Sequence, residues 1–151
     1  MTTCNLLIKD NVEFATHHDV LKHLADTLIE QEIVKPSYRQ AIIEREASFP
    51  TGILLDGYAV AIPHCEADHA LKPAIYMLKL DKPVAFYRAD EDSTVDVSLI
   101  LALVVTEPAL QLALLRSLFS ELQNEQFYHT LLTSSNDDIS QLFQQKIFNH
   151  R

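Results

Sequence analysis

The run VSLILALVV, residues 97–105, constrains the fold of this chain more than any other segment. A strand with one face in water alternates apolar and polar residues, whereas this stretch is continuously apolar. Such a pattern is typical of a central strand that is covered on both faces. The sequence therefore predicts a sheet that lies between two other layers.

Further strand-like runs and several helical patterns surround this segment. The strand-like runs are residues 4–8, 53–55, 58–62, 74–80 and 95–105. Apolar residues at helical spacing predict helices over about 17–31, 38–47, 108–123, 125–132 and 136–147. Because helices flank the strands in the sequence, the predicted fold is α/β, a three-layer sandwich with helices on both faces of the sheet.

Capping signals support the starts of these helices. Thr16, followed by Asp19, resembles a capping box, and Ser37 repeats the signature with Gln40. Pro108 suits a first helical turn, where its missing N–H costs no hydrogen bond.

Composition narrows the class of the protein and its partners. The chain has 151 residues, 48% hydrophobic and 22% charged, which predicts one globular domain over residues 1–151. A formal net charge of −9 argues against nucleic acid and anionic membranes as partners. With two glycines, Gly52 and Gly57, the chain lacks the glycine-rich loops that bind ATP or NAD.

The expected location is the cytoplasm. No apolar run approaches the roughly 20 residues that a membrane helix needs, and the first residues lack the pattern of a signal peptide. The two cysteines, Cys4 and Cys65, predict reduced thiols rather than a disulfide scaffold.

The candidate chemistry lies at GYAVAIPHCE, residues 57–66, where a short strand stops at Pro63 and His64 follows. A metal site of His64, Cys65 and His69 is one hypothesis, although histidines five residues apart do not share a helix face. A Cys65 nucleophile with a histidine base is a second, although a lone buried cysteine is commonly a small hydrophobe.

The third hypothesis is His64 itself as a nucleophile. Imidazole forms covalent intermediates and is substantially neutral near pH 7. A phosphoryl group on a ring nitrogen is labile, which suits a protein that must pass it on. A histidine after a strand is nevertheless more commonly a hydrogen-bonded surface residue, so spacing alone does not decide between these roles.

A resemblance to a known family decides it. The segment REASFPTGILLDGYAVAIPH, Arg45 to His64, resembles the signature of the fructose–mannitol class of IIA components of the bacterial sugar phosphotransferase system. The likeness continues through KPV at residues 82–84, the apolar strand 97–105 and LLRSL in the helix 110–122. The segments FPTGILL, AIPHCEA and LLRSLF look closest to the galactitol-specific IIA subgroup.

The resemblance implies a fold and a mechanism. The expected fold is that of mannitol-type IIA, with a mixed sheet of four to five strands. His64 would be phosphorylated on Nε2 by phospho-HPr and would pass the phosphoryl group to a cysteine of the cognate IIB component. Arg45 would lie near the phosphohistidine, where its planar donors suit phosphoryl oxygens. No cofactor is implied.

One position departs from the mannitol-type pattern. Those members carry a second histidine near the start of the helix after the long apolar strand, and Gln111 stands there in this chain. Glutamine donates a hydrogen bond but cannot carry charge. Gln111 is therefore the expected replacement, with Glu107 and His69 as alternatives.

The leading functional hypothesis is a phosphocarrier for uptake of a sugar alcohol, galactitol or a related polyol. Because the sequence ends at Arg151, IIB and the membrane component IIC are expected to be separate chains, with IIC a partner only indirectly. A regulatory IIA-like protein, whose His64 phosphorylation controls partner binding without transport, is the alternative. A further functional alternative is a metal-binding or cysteine-dependent enzyme built on residues 64–69.

Overall fold

The computed structural model describes residues 4–148. Arg151 lies outside this range, so the structure does not bear on the expectation that IIB and IIC are separate chains. The strands are β1 (Asn5–Val12), β2 (Gly52–Leu54), β3 (Ala59–Ala61), β4 (Ala74–Tyr87) and β5 (Thr94–Val104). The helices are α1 (His17–Glu30), α2 (Tyr38–Ser48), α3 (Pro108–Leu122), α4 (Glu125–Thr133) and α5 (Asn136–Lys146), with a short 3₁₀ turn at Ala67–His69.

The five strands form one mixed sheet in the order β1-β4-β5-β3-β2. Strand β1 runs parallel to β4, and β3 runs parallel to β5, while the pairs β4/β5 and β2/β3 are antiparallel. The long strand β5 therefore lies in the middle of the sheet, as its apolar run predicts.

Two apolar layers meet on β5. Leu99, Leu101 and Leu103 pack with α3, α4 and α5, whereas Ile100 and Ala102 pack with α1 and α2. Each of these side chains is at most 1% exposed. Burying one such aliphatic side chain contributes about 1.5–3 kcal/mol. The predicted three-layer α/β sandwich is thus confirmed, with two helices on one face and three on the other.

The helix starts follow the capping signals, with one difference. Thr16 accepts a hydrogen bond from the backbone N–H of Asp19, and Pro108 occupies the first turn of α3. Ser37 stands at the start of α2 but makes no side-chain cap. Its hydroxyl lies 2.8 Å from Nδ1 of His69 instead, so a tertiary contact has replaced the local cap.

Strand β4 is longer than the sequence predicts. It continues past Leu80 through Pro83 to Tyr87, and its register with β5 shifts between Lys79 and Val84. Asp81, an exposed residue, and Pro83 are turn formers, which explains the early predicted end. The shift accommodates a proline that cannot donate to the ladder.

No helix within residues 4–148 is long and apolar enough to cross a membrane.

Candidate functional site

His64 stands where β3 gives way to a turn beside the end of β5. The N–H of Leu103 donates to the carbonyl oxygen of Pro63 at 2.9 Å, and His64 itself forms a parallel bridge with Leu103. The backbone around His64 is therefore fixed to the central strand, while the residue itself is partly buried.

One hydrogen bond orients the imidazole ring of His64. Its Nδ1 atom lies 2.7 Å from the carbonyl oxygen of Ile62. A carbonyl oxygen only accepts, so Nδ1 must carry the hydrogen. In the neutral ring Nε2 then keeps its lone pair, and this nitrogen is the one available as a nucleophile.

Arg45, in the last turn of α2, is near enough for its positive charge to act on this ring. Its Nη1 atom is 3.6 Å from Oε1 of Glu66, two residues after His64, and its guanidinium stacks 4.5 Å from the ring centroid of Phe49. The side chains of Arg45 and Glu66 are 35% and 55% exposed, so the cation remains accessible from solvent.

The surroundings of His64 favour its neutral form. Burial is the largest cause and lowers the pKa of His64 below 6.5. The hydrogen bond to Ile62 and the negative charge of Glu66 raise this pKa, and the positive charge of Arg45 lowers it. The net effect is a lowered pKa, which keeps the nucleophilic form populated at neutral pH.

An open groove of about 630 Å³ runs along α2 beside this site. Arg45, Phe49, Glu66 and His69 are among its lining residues. Phe49 is 61% exposed, so the groove offers an apolar contact beside a cation.

Gln111 lies on a second groove, of about 590 Å³, which also includes Glu66 and Thr106. Glu66 therefore borders both grooves, with Arg45 on one and Gln111 on the other. His64 itself is not among the lining residues of either groove. The charge of Arg45 acts on its imidazole, whereas Gln111 is related to it through the groove that Glu66 also borders. Glu107, an alternative to Gln111, is an exposed residue at the start of α3.

Glu46 is a buried acidic residue behind the site, to which the sequence analysis assigns no role. Only 4% exposed, its carboxylate accepts from the N–H and the hydroxyl of Thr51, each at 2.8 Å. Burial raises the pKa of Glu46 to about 7, against the opposing effect of these two hydrogen bonds. The sequence signal is a helix-end glutamate that a threonine follows five residues later, which is too common a pattern to identify the contact.

The structure does not support the other two hypotheses for residues 64–69. Cys65 is 7% exposed, and burial raises the pKa of its thiol to about 12, which disfavours the reactive thiolate. His69 points a ring nitrogen at Ser37. Within residues 4–148 no three or more His, Cys, Asp or Glu side chains are grouped so that they could hold a metal ion.

Comparison with known proteins identifies the family of this chain. Residues 3–146 match the family model for the phosphoenolpyruvate-dependent sugar phosphotransferase system, EIIA 2, and the chain belongs to this family. The galactitol-specific EIIA component of the phosphotransferase system of Escherichia coli (strain K12) is 42% identical over 139 residues, covering 92% of this chain and 93% of that protein.

Solved structures confirm the mannitol-type fold. The IIA mannitol structure from Escherichia coli has a TM-score of 0.69 at 22% identity, covering 91% of this chain and 94% of that one. The complex of enzyme IIAMTL and phosphorylated enzyme IIBMTL from Escherichia coli has a TM-score of 0.70 at 22% identity, with 93% and 94% covered.

Proposed function

We propose that this chain is a phosphohistidine carrier, one domain spanning residues 1–151, that takes a phosphoryl group from phospho-HPr on His64. It then passes the group to a cysteine of the cognate IIB. The observation that carries the proposal is the hydrogen bond from Nδ1 of His64 to Ile62, which leaves Nε2 free. Family membership supports the same assignment.

The chemistry needs two in-line displacements at phosphorus. In the first, the Nε2 lone pair of His64 attacks the phosphorus of phospho-HPr, the new N–P bond forms, and the donor's own P–N bond breaks. In the second, the thiolate of IIB attacks the same phosphorus, and the bond to Nε2 breaks. Neither step needs a metal ligand or a cofactor from this chain, because the reacting nitrogen and sulfur supply the electron pairs.

Arg45 stabilises the charge that moves through these steps. A guanidinium cation presents its donors in the plane that phosphoryl oxygens require. In the unphosphorylated chain Glu66 holds Nη1 at 3.6 Å, longer than a hydrogen bond. We infer that, once Nε2 is phosphorylated, the guanidinium of Arg45 pairs with the phosphoryl group instead of with Glu66.

Gln111 is the proposed third member of the site. It lies half-buried near the start of α3, on the groove shared with Glu66. A neutral amide there donates a hydrogen bond to a phosphoryl oxygen without changing the charge of the site.

The proposed transported substrate is galactitol or a related polyol, and the location is the cytoplasm. The 42% identity to a galactitol-specific EIIA component supports this substrate class. Recognition of the sugar itself belongs to IIB and the membrane component IIC, so the chain needs to recognise HPr and IIB only.

The test is phosphoryl transfer in a reconstituted system. The protein is incubated with phosphoenolpyruvate, enzyme I and HPr, and intact mass is recorded for the wild type, His64→Ala and the control His69→Ala. The expected result is one acid-labile phosphate on the wild type and on His69→Ala, and none on His64→Ala. A folded wild-type protein that gains no phosphate would overturn the proposal.

A second stage separates transport from regulation. A galactitol-type IIB is added to the phosphorylated protein, and the phosphate on each chain is followed with time. Transfer to IIB at a rate comparable to the transfer from HPr is expected for a transport component. A stable phosphoprotein that IIB does not discharge would favour the regulatory alternative.

A further inference from the structure

A chain of hydrogen bonds links the buried carboxylate of Glu46 to the ring of His64. Glu46 accepts from both polar groups of Thr51 at 2.8 Å. The carbonyl oxygen of Thr51 accepts from the N–H of Ile62 at 3.3 Å, and the carbonyl oxygen of Ile62 accepts from Nδ1 of His64 at 2.7 Å. A chain of four residues, Glu46, Thr51, Ile62 and His64, thus joins helix α2 to the imidazole.

Each link in this chain fixes one peptide group. The two bonds from Thr51 hold its backbone and its side chain at once, which determines where its carbonyl points. That carbonyl anchors the N–H of Ile62, while Leu103 anchors the carbonyl of Pro63. The carbonyl of Ile62, between these two anchored groups, is left to face the imidazole of His64.

Close packing holds the same loop from the other side. A Cβ atom at Gly52 would lie 2.5 Å from the carbonyl oxygen of Tyr87, so this position has no room for a side chain. The carbonyl of Gly52 also accepts from the N–H of Ala89 at 2.9 Å. Gly52, the residue after Thr51, is therefore held close to the end of β4, while Glu46 holds Thr51 from the side of α2.

We propose that Glu46 is a positioning residue for phosphoryl transfer: through Thr51 and Ile62 it holds His64 in the tautomer that leaves Nε2 free. Glu46 does not touch the reacting atoms. It acts on the angle and the hydrogen of the imidazole, because a displaced Ile62 carbonyl would let the hydrogen move to Nε2. The effect of Glu46 on the rate of phosphoryl transfer rests on the proposed function. Its effect on the tautomer of His64 does not.

Two variants separate this role from simple support of the fold. Glu46→Gln keeps both contacts, because its amide oxygen accepts from the N–H of Thr51 and its NH₂ group donates to the hydroxyl. Glu46→Met keeps the length of the side chain and removes both acceptors. The control is Lys79→Met, which removes another buried polar group: Lys79 is 7% exposed, and its Nζ donates to the carbonyl of Ser134.

Lys79 suits this purpose because it is remote from His64 along the sheet. It pairs with Leu99 in β5, whereas His64 pairs with Leu103, four residues further along the strand. That separation is about 13 Å. A loss of stability shared by Lys79→Met and Glu46→Met can then be recognised as unspecific.

The first readout is the tautomer of His64, from the ¹⁵N chemical shifts of its ring nitrogens. The wild type, Glu46→Gln and Lys79→Met are expected to show the single Nδ1–H form, and Glu46→Met a mixture with the Nε2–H form. The second readout is the rate constant of transfer from saturating phospho-HPr. It is expected to fall by about 10–10²-fold in Glu46→Met alone, since displacement by about 1 Å costs that much.

The outcomes distinguish the two proposals. An unchanged His64 tautomer in a folded Glu46→Met would overturn the positioning role, whatever the transfer rate. A wild-type protein that is never phosphorylated would overturn the proposed function, while the tautomer would still decide the role of Glu46. If Glu46→Met does not fold, the double variant with Thr51→Val decides, because it also removes the hydroxyl that the single substitution leaves unpaired.

Discussion

Nδ1 of His64 lies 2.7 Å from the carbonyl oxygen of Ile62, its neighbour two residues back in the chain. Pro63 stands between them and makes this contact possible. Its ring fixes φ, and it has no N–H to compete for a partner. The proline therefore holds the chain so that the imidazole folds back onto Ile62, which leaves Nε2 without the hydrogen in the neutral ring.

The first prediction concerns the pH dependence of phosphorylation. Burial lowers the pKa of His64 in the folded state below 6.5, so the neutral ring persists as pH falls to that value. Acceptance from phospho-HPr is expected to stay constant through neutral pH and to decline only below pH 6.5. A histidine titration by NMR, alongside initial rates, checks this, and a midpoint above 6.5 would contradict it.

The second prediction concerns Arg45. Arg45→Ala is expected to slow transfer by about 10²–10³-fold, the usual loss for one charge-stabilising donor. It should also raise the pKa of His64, because the cation lowers it in the wild type. Rapid-quench transfer rates and the same NMR titration measure both effects.

Arg39→Ala is the matched control for Arg45. Arg39 lines the same groove, but its guanidinium is paired with Asp26. The Arg39→Ala variant is expected to transfer phosphate at a rate within about twofold of the wild type, because an exposed ion pair contributes little. Equal losses in the two variants would mean that the groove needs positive charge in general and not a donor at Arg45.

The third prediction concerns Glu66, the carboxylate that engages Arg45 at 3.6 Å. Glu66→Gln is expected to lower the pKa of His64 further, because the negative charge raises it in the wild type. It should also speed acceptance by up to about fivefold, since an exposed ion pair contributes at most about 1 kcal/mol.

Glu44→Gln provides the comparison for Glu66. Glu44 borders the same groove and accepts a hydrogen bond from Gln40, but it is not among the charges that act on His64. Stopped-flow transfer rates are expected to match the wild type. A slower Glu66→Gln would show that the carboxylate assists transfer instead of competing for Arg45.

The fourth prediction concerns Gln111. A neutral amide contributes about 0.5–1.5 kcal/mol through one hydrogen bond, so Gln111→Ala should slow transfer by no more than about tenfold. The effect is expected in the transfer rate and not in the pKa of His64, because the amide carries no charge. A shift of the His64 titration in this variant would disprove that reasoning.

The sequence predicts the layers of this fold well, because they follow from local periodicity. The apolar run 97–105 requires cover on both faces, and the two apolar layers on β5 confirm it. Strand order and the extension of β4 through Pro83 depend on pairing between distant segments. No local pattern contains that information, and the proline indicates a turn where the register shift allows a strand.

The candidate site divides in the same way. His64 and Arg45 lie in a segment whose ordered motifs resemble a known family, so the sequence predicts them together. Glu46 occurs in the same motif, but its role depends on burial and on Thr51, which only packing reveals. Its place next to Arg45 in the sequence does not by itself indicate what it does.

The last prediction concerns Glu46 and the stability of the fold. The pKa of its carboxyl is about 7 in the folded protein and 4.5 when unperturbed, so the folded state binds this proton more tightly than the unfolded state. Its contribution to stability is therefore complete below pH 4.5 and is lost as pH rises toward 7. The full difference corresponds to about 3 kcal/mol.

Glu46→Gln should remove this dependence, because its amide does not titrate. The free energy of unfolding in urea, measured at about pH 5 and about pH 8 for both proteins, isolates the contribution of Glu46 from that of other groups. On going to the higher pH, the wild type is expected to lose about 2–3 kcal/mol more than the variant does. Equal losses in the two proteins would mean that Glu46 titrates as an ordinary carboxyl, and that its two hydrogen bonds from Thr51 offset the cost of burying the charge.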